Sequence, residues 1–401
     1  MSAVMSMARA RRSFPTAARC DRPSGAAAIA SGVHVGGLAQ GPDEKRGSTG
    51  RAAGVVVAIG GILPDNRPSL GRGVPPPLLR PSPAFHNCQN VARPPFDRAK
   101  ATFAFIIGNL PMFTVSMIAA PGALDPMLAT SLRNAWGGGD LVWLSPDEAA
   151  EFEIPAKPSH EGDVWTQLQA SRVDLAIQKS ENRRKRILIA DMDSTMIRQE
   201  CINELAAEAG VGERVAEITS RAMNGELEFE GALRERVALL AGLPRAIIDK
   251  VLAERITLMP GGPELVATMR AAGAYTALVS GGFTNFTSVI ADRLGFHENR
   301  ANTLLVENGM LTGQPGEPIL GREAKVEALI EIAARLGISP SDAIAVGDGA
   351  NDLGMLGLAG TGVALHAKPS VQAQAQIRIN HGDLSALLFL QGYARSEFIS
   401  G

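Results

Sequence analysis

Residues 184–197, Arg-Lys-Arg-Ile-Leu-Ile-Ala-Asp-Met-Asp-Ser-Thr-Met-Ile, constrain this chain more than any other stretch. The run Ile187-Leu188-Ile189-Ala190 is short, unbroken and apolar, as a strand buried on both faces of a parallel sheet reads. It stops on two acids one residue apart, Asp191 and Asp193, followed by small polar residues. In an open α/β sheet the ligand crevice lies outside the carboxyl ends of the strands. Two carboxylates placed there repel unless a cation is shared between them, and a hard, all-oxygen site suits Mg2+.

Such an arrangement can transfer a phosphoryl group. One carboxylate attacks phosphorus while a cation neutralises the phosphoryl oxygens. The second acid protonates the leaving oxygen and then activates water. An Asp-x-Asp pair is also common in ordinary loops, so this reading needs support from elsewhere in the chain.

The chain has 401 residues, which suits two or three domains, and its 45% hydrophobic content allows a sizeable core. Its net charge of −2 hides an asymmetry: residues 1–111 carry +9 and the remainder −11. An acidic body argues against nucleic acid as a partner. Cys20, Cys88 and Cys201 lie far apart without zinc or disulfide spacing, which reads as a reduced, intracellular chain. No apolar run reaches the ~20 residues of a membrane span. The closest, Ala101 to Met117, is broken by Asn109 and Pro111. A cytoplasmic protein is therefore expected, with no membrane partner.

The head, residues 1–111, holds 13 of the 25 prolines and shows no lasting apolar periodicity. That composition predicts a disordered, low-complexity extension. Its Arg- and Ser-rich, acid-poor character also fits a transit peptide, which would place the protein in an organelle. The plainer reading, favoured here, is a non-native extension with Met112 as the true start.

Residues 112–180 read as a small α+β domain, with strands expected at Phe113–Ala119, Asp140–Leu144 and Val173–Gln178. Helices are expected at Leu124–Trp136 and Val164–Ser171, and Ser145-Pro146-Asp147-Glu148 reads as a further helix start. Nothing in this domain looks catalytic, and His160 reads as a solvated loop residue. Residues 196–258 then turn helical, with helices expected at Ile197–Ala209, Gly212–Met223, Glu228–Ala241 and Arg245–Glu254. A helical block inserted directly after a catalytic strand is a plausible lid. Glu200 falls near its mouth, and Arg236 sits among Val237, Leu239 and Leu240. Either charge alone reads as a surface helix residue. Together they could pair the ammonium and carboxylate of an amino acid, with the guanidinium fork suited to the carboxylate.

Two further strands are expected to end in polar chemistry. Tyr275–Val279 runs into Ser280-Gly281-Gly282-Phe283-Thr284, a hydroxyl and bare amides that suit a phosphate. Ala343–Val346 runs into Gly347-Asp348-Gly349-Ala350-Asn351-Asp352, two acids spaced by glycines that permit close backbone approach. Ala301–Glu307 and Met310–Thr312 read as a hairpin across Asn308-Gly309, Lys325 opens a helix over Glu323–Leu336, and Ala359–Ala364 is another strand. His366 and Lys368 read as rim residues. Strands ending repeatedly in polar chemistry predict a doubly wound parallel sheet over residues 185–401.

With four motifs standing in order (Asp191-Met192-Asp193-Ser194-Thr195, Ser280-Gly281-Gly282, Lys325 and Gly347-Asp348-Gly349-Ala350-Asn351-Asp352), the chain resembles the haloacid dehalogenase superfamily. Within it, the chain is similar to the phosphoserine phosphatase family. That closer likeness rests on Asp-Met-Asp-Ser-Thr-Met with Glu200, on Thr219-x-x-x-Met223-x-Gly225-x-x-x-Phe229, and on Arg236-Val237-x-Leu239-Leu240-x-Gly242. It covers about residues 185–390. Residues 112–180 resemble, weakly, the small regulatory-looking domain of longer bacterial members.

The resemblance implies Mg2+-dependent hydrolysis of O-phospho-L-serine through an aspartyl-phosphate, the last step of serine biosynthesis. It implies Asp191 as nucleophile and Asp193 as acid and then base. Asp191, the Asp193 carbonyl and Asp348 would hold the metal, and Ser280, Gly281 and Lys325 the phosphoryl group. Asn351 and Asp352 would support phosphate and metal shell, Glu200 and Arg236 would read the serine, and Met223 and Phe229 would pack the closed lid. A homodimer is left open. The alternative keeps the fold and changes the substrate to another phosphorylated metabolite, or the acceptor to a second alcohol. A non-catalytic sensor built on residues 112–180 is disfavoured by the intact acids.

Overall fold

A computed structural model describes residues 112–401 apart from Asn224 and Gly225; the expectations for the head lie outside the described residues. The first structured segment is a four-stranded antiparallel sheet. Its elements are β1 (Phe113–Ile118), α1 (Pro126–Ala135), β2 (Val142–Ser145), β3 (Ala149–Ile154), α2 (Glu161–Ala170) and β4 (Asp174–Lys179), with strand order β2-β3-β1-β4. Alternation along the strands sorts side chains between two faces. Val115, Met117, Ala150 and Phe152 pack with Ala129 and Leu132 of α1, while Ile118, Ala149 and Ala176 join the core of the second sheet.

Ser145-Pro146-Asp147-Glu148 does not start a helix. It is the turn between β2 and β3, with Asp147 at φ 51° and the Ser145 hydroxyl donating to Glu148. The local pattern imitates a capping box. Pairing of Ala149–Ile154 along the whole of β1 decides the outcome, because it gives the backbone of β3 partners along that entire edge. His160 is exposed and accepts a hydrogen bond from the Trp136 indole at 3.2 Å.

The second sheet has six parallel strands in the order β12-β11-β10-β5-β6-β7. In chain order they are β5 (Ile187–Ala190), β6 (Tyr275–Phe283), β7 (Glu298–Asn302), β10 (Ala343–Gly347), β11 (Thr361–Leu365) and β12 (Ile377–Ile379). Between β5 and β6 lie α3 (Cys201–Glu208), α4 (Gly212–Met223), α5 (Phe229–Ala238), α6 (Ala246–Glu254) and α7 (Gly262–Ala271). Then come α8 (Thr284–Leu294), the hairpin β8 (Leu304–Glu307) and β9 (Met310–Pro315), α9 (Arg322–Leu336), α10 (Leu353–Leu358), α11 (Pro369–Gln372) and α12 (Ala386–Leu390). β5 is fully buried. Ile187 and Ile189 face Leu329 and Ile332 of α9, and Leu188 and Ala190 belong to the core on the opposite face. Each of the isoleucines and leucines contributes about 1.5–3 kcal/mol by burial. The sheet is doubly wound, as expected.

Two expectations are corrected in detail. The first inserted helix begins at Cys201 rather than Ile197, because residues 193–196 form a turn and residues 196–198 then pair with residues 257–259 as a neck. Ile197 bridges Leu258, Arg198 N donates to Thr257 O at 3.0 Å, and Met259 N donates to Met196 O at 2.9 Å. The segment Ala301–Glu307 is not one strand. Its start belongs to β7 of the main sheet, and only residues 304–307 form the hairpin. That hairpin meets the helical insert: Gly242 N donates to Leu311 O and Leu311 N to Leu243 O, both at 2.8 Å. Among the described residues, no helix is long and apolar enough to cross a membrane.

Candidate active site

Strand order reverses where β5 lies between β10 and β6, and the crevice belongs at the carboxyl ends there. Asp191 follows β5 directly, its amide donating to Val346 O of β10 at 3.0 Å. One oxygen, Oδ1, accepts the Met192 amide at 2.7 Å; the other, Oδ2, lies 2.8 Å from Lys325 Nζ. The same ammonium reaches Asp352 Oδ1 at 2.6 Å, and its side chain is only 2% exposed. Burial works against the Lys325 charge, but Asp191 and Asp352 outweigh it and raise the amine above its usual range. The lysine that read as ordinary on its helix is thus a buried cation between two carboxylates.

Asp191, Asp348 and Asp352 place carboxylate oxygens within 4.8 Å of one another. Asp348 is pushed up to about 6 by burial, then by Asp191 and Glu200. Three crowded carboxylates offering oxygen atoms alone are the donor set a hard divalent cation fits. The Asp193 carboxylate is not one of the three. It accepts the Cys201 amide at 3.1 Å, and burial, then Glu200 and Asp191, push it up to about 8. That is the direction a general acid needs.

The strand expected to stop at Val279 runs on to Phe283, and this end of β6, where its register with β7 slips between Val279 and Phe283, stands opposite. The buried Ser280 hydroxyl accepts the Gly282 amide at 2.9 Å. A Cβ on Gly282 would lie 2.8 Å from Asp193 Oδ2 and 3.1 Å from Ser280 Oγ. Gly282→Ala is therefore expected to displace both groups, with turnover falling about 10²-fold and the melting temperature little changed. Steady-state kinetics beside a thermal melt checks this, and wild-type turnover would show that the space is not needed. Phe229, at the start of α5, lies against Gly281 and Gly321, with 3.4 Å to an ideal Cβ on Gly281. The insert thus closes over this end of β6. Met223 ends α4, and its side chain lies outside the described ones. Asn351 Oδ1 lies against Gly349.

Glu200 accepts the Ser194 hydroxyl at 2.7 Å. Ser194 sits at φ 54°, a left-handed conformation that non-glycine residues seldom adopt and that marks functional turns. Desolvation raises the Glu200 carboxyl, the Ser194 hydrogen bond and Arg236 oppose that, and Asp191 adds to it. Arg236, held by Nε to Ala232 O at 3.1 Å, is lowered by burial and opposed by Glu200 and Asp193. The two charges that the sequence paired act on one another, and Lys368 acts on Glu200 as well.

Three contributors were not singled out from the sequence. Asn302, buried at the end of β7, donates to Gly281 O at 2.9 Å and to Leu320 O at 3.2 Å, and accepts the Leu320 amide at 2.7 Å. It fixes the end of β6 that carries Ser280. Its signal was a polar residue ending a strand, hidden by assigning it to the hairpin. Thr195, fully buried, donates to Asp348 Oδ1 at 3.3 Å, and the Cys201 amide holds Asp193. Thr195 lay inside the quoted motif without a role.

A parallel sheet whose switch point carries a buried lysine and an acidic cluster under a helical insert defines a hydrolase class. Residues 188–357 match the haloacid dehalogenase-like hydrolase family, and the chain belongs to it. Its relatives include the phosphoserine phosphatase of Polaromonas sp., 48% identical over 210 residues, 51% of this chain and 89% of that one. That of Streptomyces coelicolor is 43% identical over 256 residues, 63% of this chain and 62% of its own length. Among solved structures, a family hydrolase from Salmonella enterica serovar Typhi aligns at TM-score 0.64 and 31% identity, covering 70% of this chain and 98% of that one. A probable phosphoserine phosphatase from Vibrio cholerae aligns at 0.58 and 32%, covering 72% and 88%.

Proposed function

We propose that the chain hydrolyses O-phospho-L-serine to L-serine and phosphate, with Asp191 as nucleophile, as the last step of serine biosynthesis. The observation that carries the chemistry is Lys325 shared between Asp191 and Asp352 at the end of β5. Asp191 attacks phosphorus as the bond to the seryl oxygen breaks, giving an aspartyl-phosphate. Asp193 passes its proton to the leaving seryl oxygen, then takes one from the water that attacks the aspartyl-phosphate. Ser280, the Gly281 amide and Lys325 hold the phosphoryl oxygens, with Asn351 in support. Asp191, the Asp193 carbonyl and Asp348 would hold Mg2+, supported by Asp352; the ion supplies charge neutralisation on the phosphoryl group. Phe229 closes the insert over the site and keeps bulk water out.

The substrate assignment is supported by Glu200 and Arg236, which offer opposite charges at one mouth for an ammonium and a carboxylate. It is supported too by the relatives' names. A phosphate-release screen over phosphorylated metabolites, with and without Mg2+, tests it. Arg236→Ala is expected to lower kcat/KM for phosphoserine by about 10² or more while p-nitrophenyl phosphate changes less than about tenfold. Equal losses on both esters would remove the carboxylate-reading role.

A further inference from the structure

We infer that Asp174, in the small domain, is a positioning residue that braces the neck of the helical insert through one loop of the catalytic sheet. Asp174 opens β4 and is 1% exposed. Its carboxylate accepts three consecutive backbone amides from beyond β12: Asn380 at 2.8 Å, His381 at 3.0 Å and Gly382 at 2.7 Å. A charged acceptor on three amides is a strong, directional anchor, and a buried amide left without it is costly.

The anchored loop reaches two places that matter for the site. Toward the sheet, the Gly382 carbonyl accepts a hydrogen bond from His366 Nε2 at 2.8 Å. His366 follows β11 at φ 47°, on the same carboxyl edge as Asp191 and Asp348. Toward the insert, Leu384 N donates to Pro260 O at 3.1 Å. Next to it the backbones nearly touch, since a Cβ on Gly261 would lie 2.3 Å from Ser385 N and 3.0 Å from the Leu384 carbonyl carbon. Gly261 itself sits at φ +75°. Pro260 ends the return strand of the neck, whose Met259 and Thr257 are bonded to the outgoing strand at Met196 and Arg198. Asp174, the loop 380–385 and the neck thus form one continuous backbone-bonded path. It ends where the insert must flex to open and close. The small domain thereby sets the rest position of the lid without touching substrate.

The effect on substrate rests on the function proposed above; the mechanical link does not. In the full-length protein, Asp174→Asn keeps acceptor capacity for part of the amide set and Asp174→Ala keeps none. Amide hydrogen exchange is expected to quicken at residues 380–385 and also at 257–262 by about tenfold in the Ala variant, with the Asn variant between it and wild type. KM for phosphoserine is expected to rise several-fold with kcat changing less, because the reacting groups are untouched. Faster exchange confined to residues 380–382, with 257–262 as in wild type, would show a merely local contact and overturn the proposal. So would unchanged kinetics beside a lowered melting temperature. If the Ala variant does not fold, the Asn variant carries the same comparison. A wild-type protein inert on phosphoserine would sink the substrate reading and leave the exchange result to decide the link.

Discussion

Asp191→Asn is expected to lower phosphate release from phosphoserine by at least about 10⁴-fold while the protein stays folded. The amide has the same shape, and its single oxygen can keep one of the two contacts Asp191 makes, to the Met192 amide or to Lys325. It cannot attack phosphorus as a carboxylate does. Stability should hold, because Lys325 keeps Asp352 as its partner at 2.6 Å and the acidic cluster loses one mutually repelling charge. Acid-quenching wild-type enzyme during turnover of ³²P-labelled phosphoserine, then mapping the labelled peptide, gives the companion result. The label should sit on Asp191. Label on any other residue, or substantial turnover by the variant, would remove Asp191 as nucleophile.

Lys325→Met carries the largest expected cost to folding. The ammonium lies within 2.8 Å of two carboxylates whose side chains are 7% and 0% exposed. Removing it leaves both without a counter-charge in a site from which water is largely excluded. Breaking a buried pair in this way costs about 3–5 kcal/mol. For a domain of this size that is a fall of about 10 °C in melting temperature. Adding Mg2+ should recover part of the loss, since a divalent cation bound among the same carboxylates favours the folded state. Calorimetry with and without Mg2+ reads both effects. A melting temperature unchanged within about 2 °C would show that the lysine does not neutralise this cluster.

The catalytic strand was legible because its signal is local. A strand buried on both faces must be apolar along its whole length, so the first acids after Ile187–Ala190 mark its carboxyl end and hence the crevice. The same reasoning found Ser280 near the carboxyl end of β6, though the strand runs on to Phe283, and Asp348 after β10. It failed at Ser145–Glu148, where a capping pattern was overruled by strand pairing, and at Ile197, where a helical period was overruled by the neck. It passed over Asn302 and Asp174 altogether. Both are short polar side chains whose importance lies in backbone groups distant in the chain, such as Gly281 and Gly382.

The sequence by itself determined the α/β layering, the strand ends that carry the acids, and the helical insert. These follow from the apolar period and from where it breaks. Only the tertiary structure decided that Lys325 stands between Asp191 and Asp352, that Asp352 joins Asp191 and Asp348, and that Asp174 holds the loop beside the neck. The physical reason is that a buried charge is placed by whichever partners the fold brings to it from distant segments, and no local periodicity encodes that encounter.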